Sequence, residues 1–170
     1  MDILRDSIDW AKSELISTPF FAFAGLVFIA MSIGCWQMGK TELAKSYIIP
    51  TLVAGVLLVL IGLGLFFTNK ARITQFESAY QENPIAFIDS ELERTQSTLK
   101  EYKNVVFTGI PIIIVLCATV LYFTKGPLVR ASMITTIAMM SIILLIDGLA
   151  HARIGEYEGI LRRAKEEITK

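Results

Sequence analysis

Four long runs of apolar residues dominate the pattern of this chain. They cover approximately Pro19–Met38, Ile48–Phe67, Val105–Phe123 and Leu128–Ala150, and charged side chains are almost absent inside them. Each run has about the 20 residues that an α-helix needs to cross the hydrocarbon core of a bilayer. None alternates polar and apolar positions as a barrel strand does. The pattern therefore predicts an all-α, polytopic membrane protein with four transmembrane helices.

The polar stretches divide the chain into five parts. Residues 18–69 and 105–150 are each predicted to form a transmembrane hairpin. Apolar residues at helical spacing continue past the second run, stop at Asn83-Pro84 and then resume, which predicts a helical hairpin over residues 70–104 outside the membrane. The same spacing predicts a charged C-terminal helix over residues 151–170.

The N-terminal part, residues 1–17, is predicted to be an amphipathic helix. Ile3, Ile8, Ala11 and Leu15 fall on one helical face. Such a helix can lie in the plane of the membrane interface, which is the interpretation we prefer. The alternative is a helix whose apolar face packs against the hairpin of residues 70–104.

Basic residues predict the orientation. With four spans, residues 1–17, 70–104 and 151–170 share one side, which holds twelve of the 16 Lys and Arg residues. Cytoplasmic loops carry an excess of Lys and Arg, so this side is predicted to be cytoplasmic. The acidic N-terminus, with no small-residue cleavage site after the first run, disfavours a signal peptide. We therefore expect a multi-pass protein of the bacterial inner membrane with both termini in the cytoplasm.

The charge balance of the predicted cytoplasmic side bears on its partners. Twelve bases face fourteen acids there, which makes the side mixed and slightly acidic. Nucleic-acid binding needs a basic surface, so we expect no nucleic-acid partner. The expected partners are the lipid bilayer, further copies of this chain in a homo-oligomer, and a cytoplasmic or membrane protein.

Small residues inside the runs predict close helix packing. Ala30 and Gly34 lie four positions apart in the first run, and Gly55 and Gly62 lie in the second. Small side chains at such spacings allow membrane helices to approach closely. These four residues are the candidate helix–helix contacts.

A short motif occurs twice, each time after the second run of a predicted hairpin. ARITQFE at residues 71–77 and ARIGEYE at residues 152–158 share four of seven positions. One interpretation is a duplicated hairpin, with two parallel repeats related by an axis along the membrane normal. The other is that both motifs simply place an arginine and an aromatic residue at the inner interface.

Asp147 and His151 form the clearest candidate intramembrane polar pair. They lie one helical turn apart near the inner end of the fourth run, and His151 is the only histidine. Ionisable residues within a span are functional candidates, and a proton relay or ion site would use both. Because Asp147 lies near the inner surface, we prefer a structural ion pair. Arg72, Arg153 or Lys103 would be able to neutralise the carboxylate.

Other chemistry is not indicated. The single histidine has no serine or cysteine at a spacing typical of nucleophilic catalysis, and no ligand cluster or glycine-rich phosphate loop is present. Cys35 and Cys117 lie in different runs and are expected to be packing residues. We therefore expect no enzymatic activity, no cofactor and no metal site.

The helical structure outside the runs exceeds what membrane insertion requires. This favours a non-enzymatic inner-membrane protein that oligomerises and docks or senses a partner through its cytoplasmic helices, in its specific form the membrane subunit of a bacterial anti-phage defence system. The candidate docking residues are Phe76, Tyr80, Phe87, Glu91, Arg94, Tyr157 and Arg162. The alternatives are an immunity protein against a membrane-targeting toxin, or an oligomeric ion or proton channel using Asp147 and His151. Architecture alone does not choose between them.

Overall fold

A computed structural model of the chain describes residues 2–169, so Met1 and Lys170, the last residue of the predicted C-terminal helix, lie outside the described residues. Helices occupy nearly all of that range. Their bounds are α1 Ile3–Ser17, α2 Pro19–Met38, α3 Glu42–Ser46, α4 Ile48–Glu82, α5 Pro84–Glu101, a π-helical segment Tyr102–Gly109, α6 Ile110–Phe123 and α7 Pro127–Thr169.

Four helical stretches are long and apolar enough to cross a membrane. They are Ile3–Met38, Glu42–Glu82, Pro84–Phe123 and Pro127–Ile168. Most of the exposed large apolar side chains belong to the apolar runs within these stretches, as is expected of helices that face lipid. The predictions of an all-helical chain and of four helices able to span a membrane are confirmed.

The long helices continue well beyond their apolar runs. At 35 and 43 residues, α4 and α7 are roughly 52 and 65 Å long at the helical rise per residue. Asn83 interrupts the chain between α4 and α5, where its extended backbone allows the side chain to accept a hydrogen bond from the Ala86 amide at 3.1 Å. This is the turn that Asn83-Pro84 predicts.

The continuations pack with α1 into a helical bundle, which we call the polar bundle: α1, residues 70–82 of α4, α5 and residues 151–169 of α7. All four elements contribute buried apolar residues to one core, namely Ile3, Trp10, Ala11, Phe76, Phe87, Ile88, Ile154, Tyr157, Leu161 and Ala164. The buried face of α1, with Ile3, Trp10 and Ala11, therefore packs against the rest of the bundle, as in the packing alternative, while Ile8 and Leu15 of the predicted face are only partly buried.

The chain stays helical from α5 into α6, but the helical turns between them are wider than those of an α-helix. Over Tyr102–Gly109 the helix is π-helical, and the Thr108 hydroxyl donates to the Lys103 carbonyl, five residues back, at 2.9 Å. Pro111 follows at once. Proline has no N–H, and its ring crowds the carbonyl four residues earlier, so a change of helical hydrogen bonding here accommodates it.

Close contact between α2 and α4 holds the apolar half together. Gly25 and Gly55 face one another so closely that a Cβ on Gly25 would lie 2.6 Å from the Gly55 carbonyl oxygen. A small core of Phe21, Phe28, Ala54 and Leu58 surrounds this crossing. Residues of α7 pack against that core, which ties the first two runs to the fourth.

Candidate functional site

A stacked and hydrogen-bonded cluster forms the centre of the polar bundle. The rings of Trp10 and Tyr157 lie parallel, with centroids 4.8 Å apart. The Tyr157 hydroxyl donates to a Glu91 carboxylate oxygen at 3.1 Å and lies 2.9 Å from the Ser7 hydroxyl. Burial, reinforced by the Glu91 carboxylate, raises the pKa of Tyr157, so the hydroxyl remains a donor. The cluster joins α1, α5 and α7.

Glu91 also holds Arg94. Two hydrogen bonds of 2.8 and 2.6 Å connect the guanidinium to both carboxylate oxygens, a bidentate geometry that is among the strong forms of ion pairing. The Arg94 guanidinium lies over the Trp10 ring, 4.8 Å from its centroid. Arg94 is thus fixed by a carboxylate and an aromatic face together.

A second ion pair connects α1 to α7 where the polar bundle meets the apolar runs. Arg153 donates to the two carboxylate oxygens of Glu14 at 2.8 and 3.3 Å and to the Ser17 hydroxyl at 2.8 Å. The Glu14 side chain is only 11% exposed. A buried carboxylate needs such a partner, because leaving it unpaired is strongly unfavourable.

A polar cavity of about 240 Å³ lies where the polar bundle meets the apolar runs. Its walls combine charged and hydroxyl side chains with apolar ones from the runs: Trp10, Glu14, Ser17, Thr18, Phe21, Leu65, Thr68, Asn69, Arg72, Arg94, Thr98, Glu101, Tyr102, Ile146, Asp147, Ala150 and Ile154. Residues from α1, α2, α4, α5 and α7 all contribute. We call this space the junction cavity.

Arg72 differs in its partners from Arg94 and Arg153, the other arginines in or near the junction cavity. It donates to the buried Asn69 side-chain oxygen at 2.8 Å and lies 5.8 Å from the Trp10 ring centroid. Among residues 2–169 it forms no ion pair with a carboxylate, whereas Arg94 and Arg153 each have one. Burial and the neighbouring Arg94 guanidinium lower the pKa of Arg72, although an arginine stays charged near neutral pH. Within residues 2–169 the Arg72 guanidinium therefore interacts with the Glu91 and Glu14 carboxylates only at a distance, without bonding to either of them.

Asp147 and His151 are not paired with one another. No hydrogen bond or ion pair joins their side chains; Asp147 lines the junction cavity, while the His151 ring meets the edges of Tyr102 and Phe107 at centroid distances of 5.7 and 5.0 Å. Of the expected neutralising partners, Arg153 is bound to Glu14 and Arg72 to Asn69. The expected structural ion pair is therefore not formed by these two described residues. His151 instead packs against two aromatic rings, and the Asp147 carboxylate lines the junction cavity.

A more apolar cleft of about 340 Å³ adjoins the junction cavity. Six residues line both spaces: Phe21, Leu65, Thr98, Glu101, Tyr102 and Asp147. The cleft extends among α4, the π-helical segment and α7, where Ile61, Val105 and Ile143 complete its walls. The two spaces therefore lie side by side and share these walls, the first more polar and the second more apolar. We call the second space the apolar cleft.

Most of the seven candidate docking residues belong to the interior of the polar bundle. Four are buried: Phe76, Phe87, Glu91 and Tyr157. Tyr80 and Arg94 are partly covered by the same bundle, and Arg162 is exposed and hydrogen-bonded to Glu158 at 2.6 Å. Six of the seven are therefore buried or partly covered within the bundle, and Arg162 is the one whose side chain is exposed.

Of the four candidate packing residues, two lie at the crossing of α2 and α4 and two do not. Gly55 and Gly62 lie against α2, where added Cβ atoms would come within 2.7 Å of the Gly25 carbonyl oxygen and the Ala22 amide nitrogen. Ala30 is exposed, and Gly34 meets only the end of the Met38 side chain. We expected Ala30 and Gly34 to form this close contact between helices, but Gly25 forms it instead.

No family model, curated protein or solved structure matches this chain.

The twice-occurring motif places equivalent side chains in related surroundings. Phe76 and Tyr157 both enter the core of the polar bundle, and Arg72 and Arg153 both lie near the junction cavity. Their partners differ, since Arg153 has Glu14 and Arg72 has only Asn69 and Trp10. Two features of the sequence indicate Arg72, namely the motif and its position as a basic residue able to neutralise Asp147. Trp10 and Glu14 carried no such signal.

Proposed function

We propose that this chain is a non-enzymatic, multi-pass protein of the bacterial inner membrane that presents the polar bundle to a protein partner in the cytoplasm. The excess of basic residues on the side of the polar bundle supports this orientation. The closed aromatic core of the bundle is the observation that carries the proposal. Membrane insertion needs only the apolar runs, so a packed bundle beyond them serves another purpose.

The membrane-distal end of the bundle is the proposed contact surface. Asp89 of α5 and Lys165 of α7 form an ion pair of 2.9 Å there. Ile85 lies one turn beyond Asp89, and Ile168 lies about one turn beyond Lys165. Both isoleucines are exposed, at 56% and 51%. We call these four residues the distal tip.

Apolar side chains around a fixed ion pair suit a protein partner. Interfaces combine a small apolar centre with a polar rim, and two isolated isoleucines on a charged surface have that composition. The continuity of α4 and α7 from the apolar runs into the bundle provides a mechanical link between membrane and tip. A partner bound at the tip would therefore be coupled to the state of the membrane-spanning helices.

The specific biological role that we favour is the membrane subunit of a bacterial anti-phage defence system, acting as a homo-oligomer. A membrane subunit of this kind would receive a cytoplasmic effector, which is the arrangement that the distal tip supports. An immunity protein against a membrane-targeting toxin would instead bind through the spans. The channel alternative loses its motivating pair, because Asp147 and His151 are not connected.

Site-specific crosslinking tests the docking proposal. A photoreactive amino acid at position 85 or 168, introduced in the full chain in the native host, should crosslink to one cytoplasmic polypeptide. The polypeptide is identified by mass spectrometry, purified, and titrated against the full chain in detergent. The double variant Ile85→Asp, Ile168→Asp should weaken that binding at least tenfold, since it places charge in an apolar contact.

The matched control is the double variant Thr74→Asp, Gln75→Asp, which adds the same two negative charges at exposed positions of α4 away from the tip. It should bind the partner as the parent does. Crosslinks only from positions inside the apolar runs would favour the immunity role and overturn docking at the tip. A defence role further requires that the double variant lose protection in a phage plating assay while the control retains it.

A further inference from the structure

The junction cavity and the apolar cleft together have the form of a site for an amphipathic molecule. We infer that they bind one zwitterionic aminophospholipid, with its phosphate at Arg72, its ammonium group at Asp147 and Glu101, and part of an acyl chain in the apolar cleft. This site is separate from the distal tip. It depends on the membrane location of the chain and not on a protein partner.

The phosphate position follows from Arg72. Its guanidinium faces a partly buried space without a carboxylate partner, while Asn69 and Trp10 hold it in place. A planar guanidinium with several N–H donors matches the oxygens of a phosphate. The Thr68 and Thr98 hydroxyls line the same wall, but each already donates its proton to a backbone carbonyl, that of Gly64 and that of Arg94 respectively. The geometry thus supplies the Arg72 guanidinium as the donor for one anion.

The ammonium position follows from the carboxylates. Asp147 and Glu101 line both the junction cavity and the apolar cleft, and neither forms an ion pair among residues 2–169. Glu14, the third carboxylate of the cavity, is already bound to Arg153. One unpaired cation and two unpaired carboxylates complement a zwitterion better than a purely anionic headgroup. A primary ammonium can donate hydrogen bonds to these carboxylates, whereas a trimethylammonium cannot.

The volume of the junction cavity and its position in the fold fit the headgroup of a lipid. About 240 Å³ is below the range of about 300–1,000 Å³ that is typical of sites enclosing a whole drug-sized molecule, so the cavity suits a headgroup rather than a complete lipid. The adjoining apolar space is the cleft of about 340 Å³. Thr18, Asn69 and Tyr102 of the cavity stand within a few residues of the ends of three apolar runs, which is the depth at which headgroups lie.

Lipid binding to the purified full chain in detergent tests the inference. Phosphatidylethanolamine, phosphatidylglycerol and phosphatidylcholine, with identical acyl chains, are titrated and bound lipid is counted by native mass spectrometry. We expect one phosphatidylethanolamine per chain, held at least about tenfold more tightly than either of the other lipids, because of the three only this lipid has a cationic group that donates hydrogen bonds to the carboxylates. Equal binding of all three would overturn the inference.

Two variants test which residue binds each charge of the lipid headgroup. Arg72→Gln should reduce phosphatidylethanolamine binding at least about tenfold, and Asp147→Asn should remove most of the preference over phosphatidylglycerol. Arg162→Gln is the matched control, because its exposed guanidinium, 60% accessible, lies outside the cavity. Unchanged binding by both cavity variants would contradict the assigned site.

A third variant separates lipid binding from folding and from a soluble ligand. Ile61→Trp fills the apolar cleft without touching the junction cavity; it should weaken phosphatidylethanolamine binding while circular dichroism and elution volume stay those of the parent. Glycerophosphoethanolamine, which has the headgroup and no acyl chains, should bind at least tenfold more weakly than the lipid. If it binds as tightly, or if Ile61→Trp binds lipid normally, the occupant is not a membrane lipid.

Discussion

Trp10 and Tyr157 stack face to face, with ring centroids 4.8 Å apart and ring planes 7° from parallel. The stack connects α1, at the beginning of the chain, with α7, at its end. Trp10 is 8% exposed and Tyr157 is 2% exposed, and Arg94 covers the Trp10 ring at 4.8 Å. This contact joins α1, α5 and α7 in the centre of the polar bundle.

Trp10→Ala should therefore release α1 from the bundle. Loss of a buried tryptophan typically lowers the free energy of unfolding by about 3–5 kcal/mol. The control is Trp36→Ala, since Trp36 is 71% exposed and its removal leaves no cavity inside the chain. Limited proteolysis within residues 3–17 and titration with sodium dodecyl sulfate measure the effect. Equal sensitivity of the two variants would show that the stack does not hold α1.

The crossing of α2 and α4 should tolerate no added methyl group. Gly25→Ala would bring a Cβ within 2.6 Å of the Gly55 carbonyl oxygen, so the helices have to separate. We expect the free energy of unfolding to fall by about 1–3 kcal/mol, as for other overpacked contacts. Gly64→Ala is the control, because nothing lies within 4 Å of its added Cβ. A loss of stability in the control equal to that of Gly25→Ala would refute the close crossing.

Breaking the ion pair between α1 and α7 should be costly because Glu14 is buried. Arg153→Met leaves the Glu14 carboxylate without its guanidinium partner, and we expect the free energy of unfolding to fall by about 1–3 kcal/mol after allowance for the partial exposure of Arg153. The double variant with Glu14→Gln should recover part of this loss. In Arg162→Met an exposed pair is lost, and no measurable change is expected. A similar loss in both single variants would indicate a general effect of removing positive charge.

Asp147 and His151 should behave as independent residues. Their side chains have no contact, so the effects of Asp147→Asn and His151→Phe on the free energy of unfolding should add to within about 0.5 kcal/mol in a double-mutant cycle. The cycle of Glu14 and Arg153 is the positive reference and should show clear coupling. Coupling of Asp147 with His151 as large as in that reference would restore the ion pair and the proton-relay hypothesis.

Much of the architecture follows from local pattern. An apolar run of about 20 residues has few stable structures other than a membrane-crossing helix, so the four spans could be predicted. The end of α4 at Glu82 could be predicted as well, because proline restricts the residue before it and asparagine caps the following helix. Pro111 disturbs the helical hydrogen bonding before it, but no local pattern specifies that the disturbance takes the form of a π-helical segment.

Partners that lie far apart in the chain could not be predicted. Periodicity indicated an apolar face on α1, but not whether lipid or protein covers that face. Arg153 has carboxylates of several helices as alternatives, and its choice of Glu14 over Asp147 depends on how α1 and α7 are rotated about their axes. The candidate docking residues were selected as aromatic or charged, and the same properties suit a buried cluster.

The sequence by itself determined the helices, their approximate ends and the division into apolar and polar halves, because these depend on residues that are neighbours along the chain. Only the tertiary structure decided which charges are paired. Bringing α1 against α4, α5 and α7 gives Glu14 and Glu91 their arginines and leaves Arg72 and Asp147 facing the junction cavity. Pairing depends on distances between helices, and no local pattern specifies those distances.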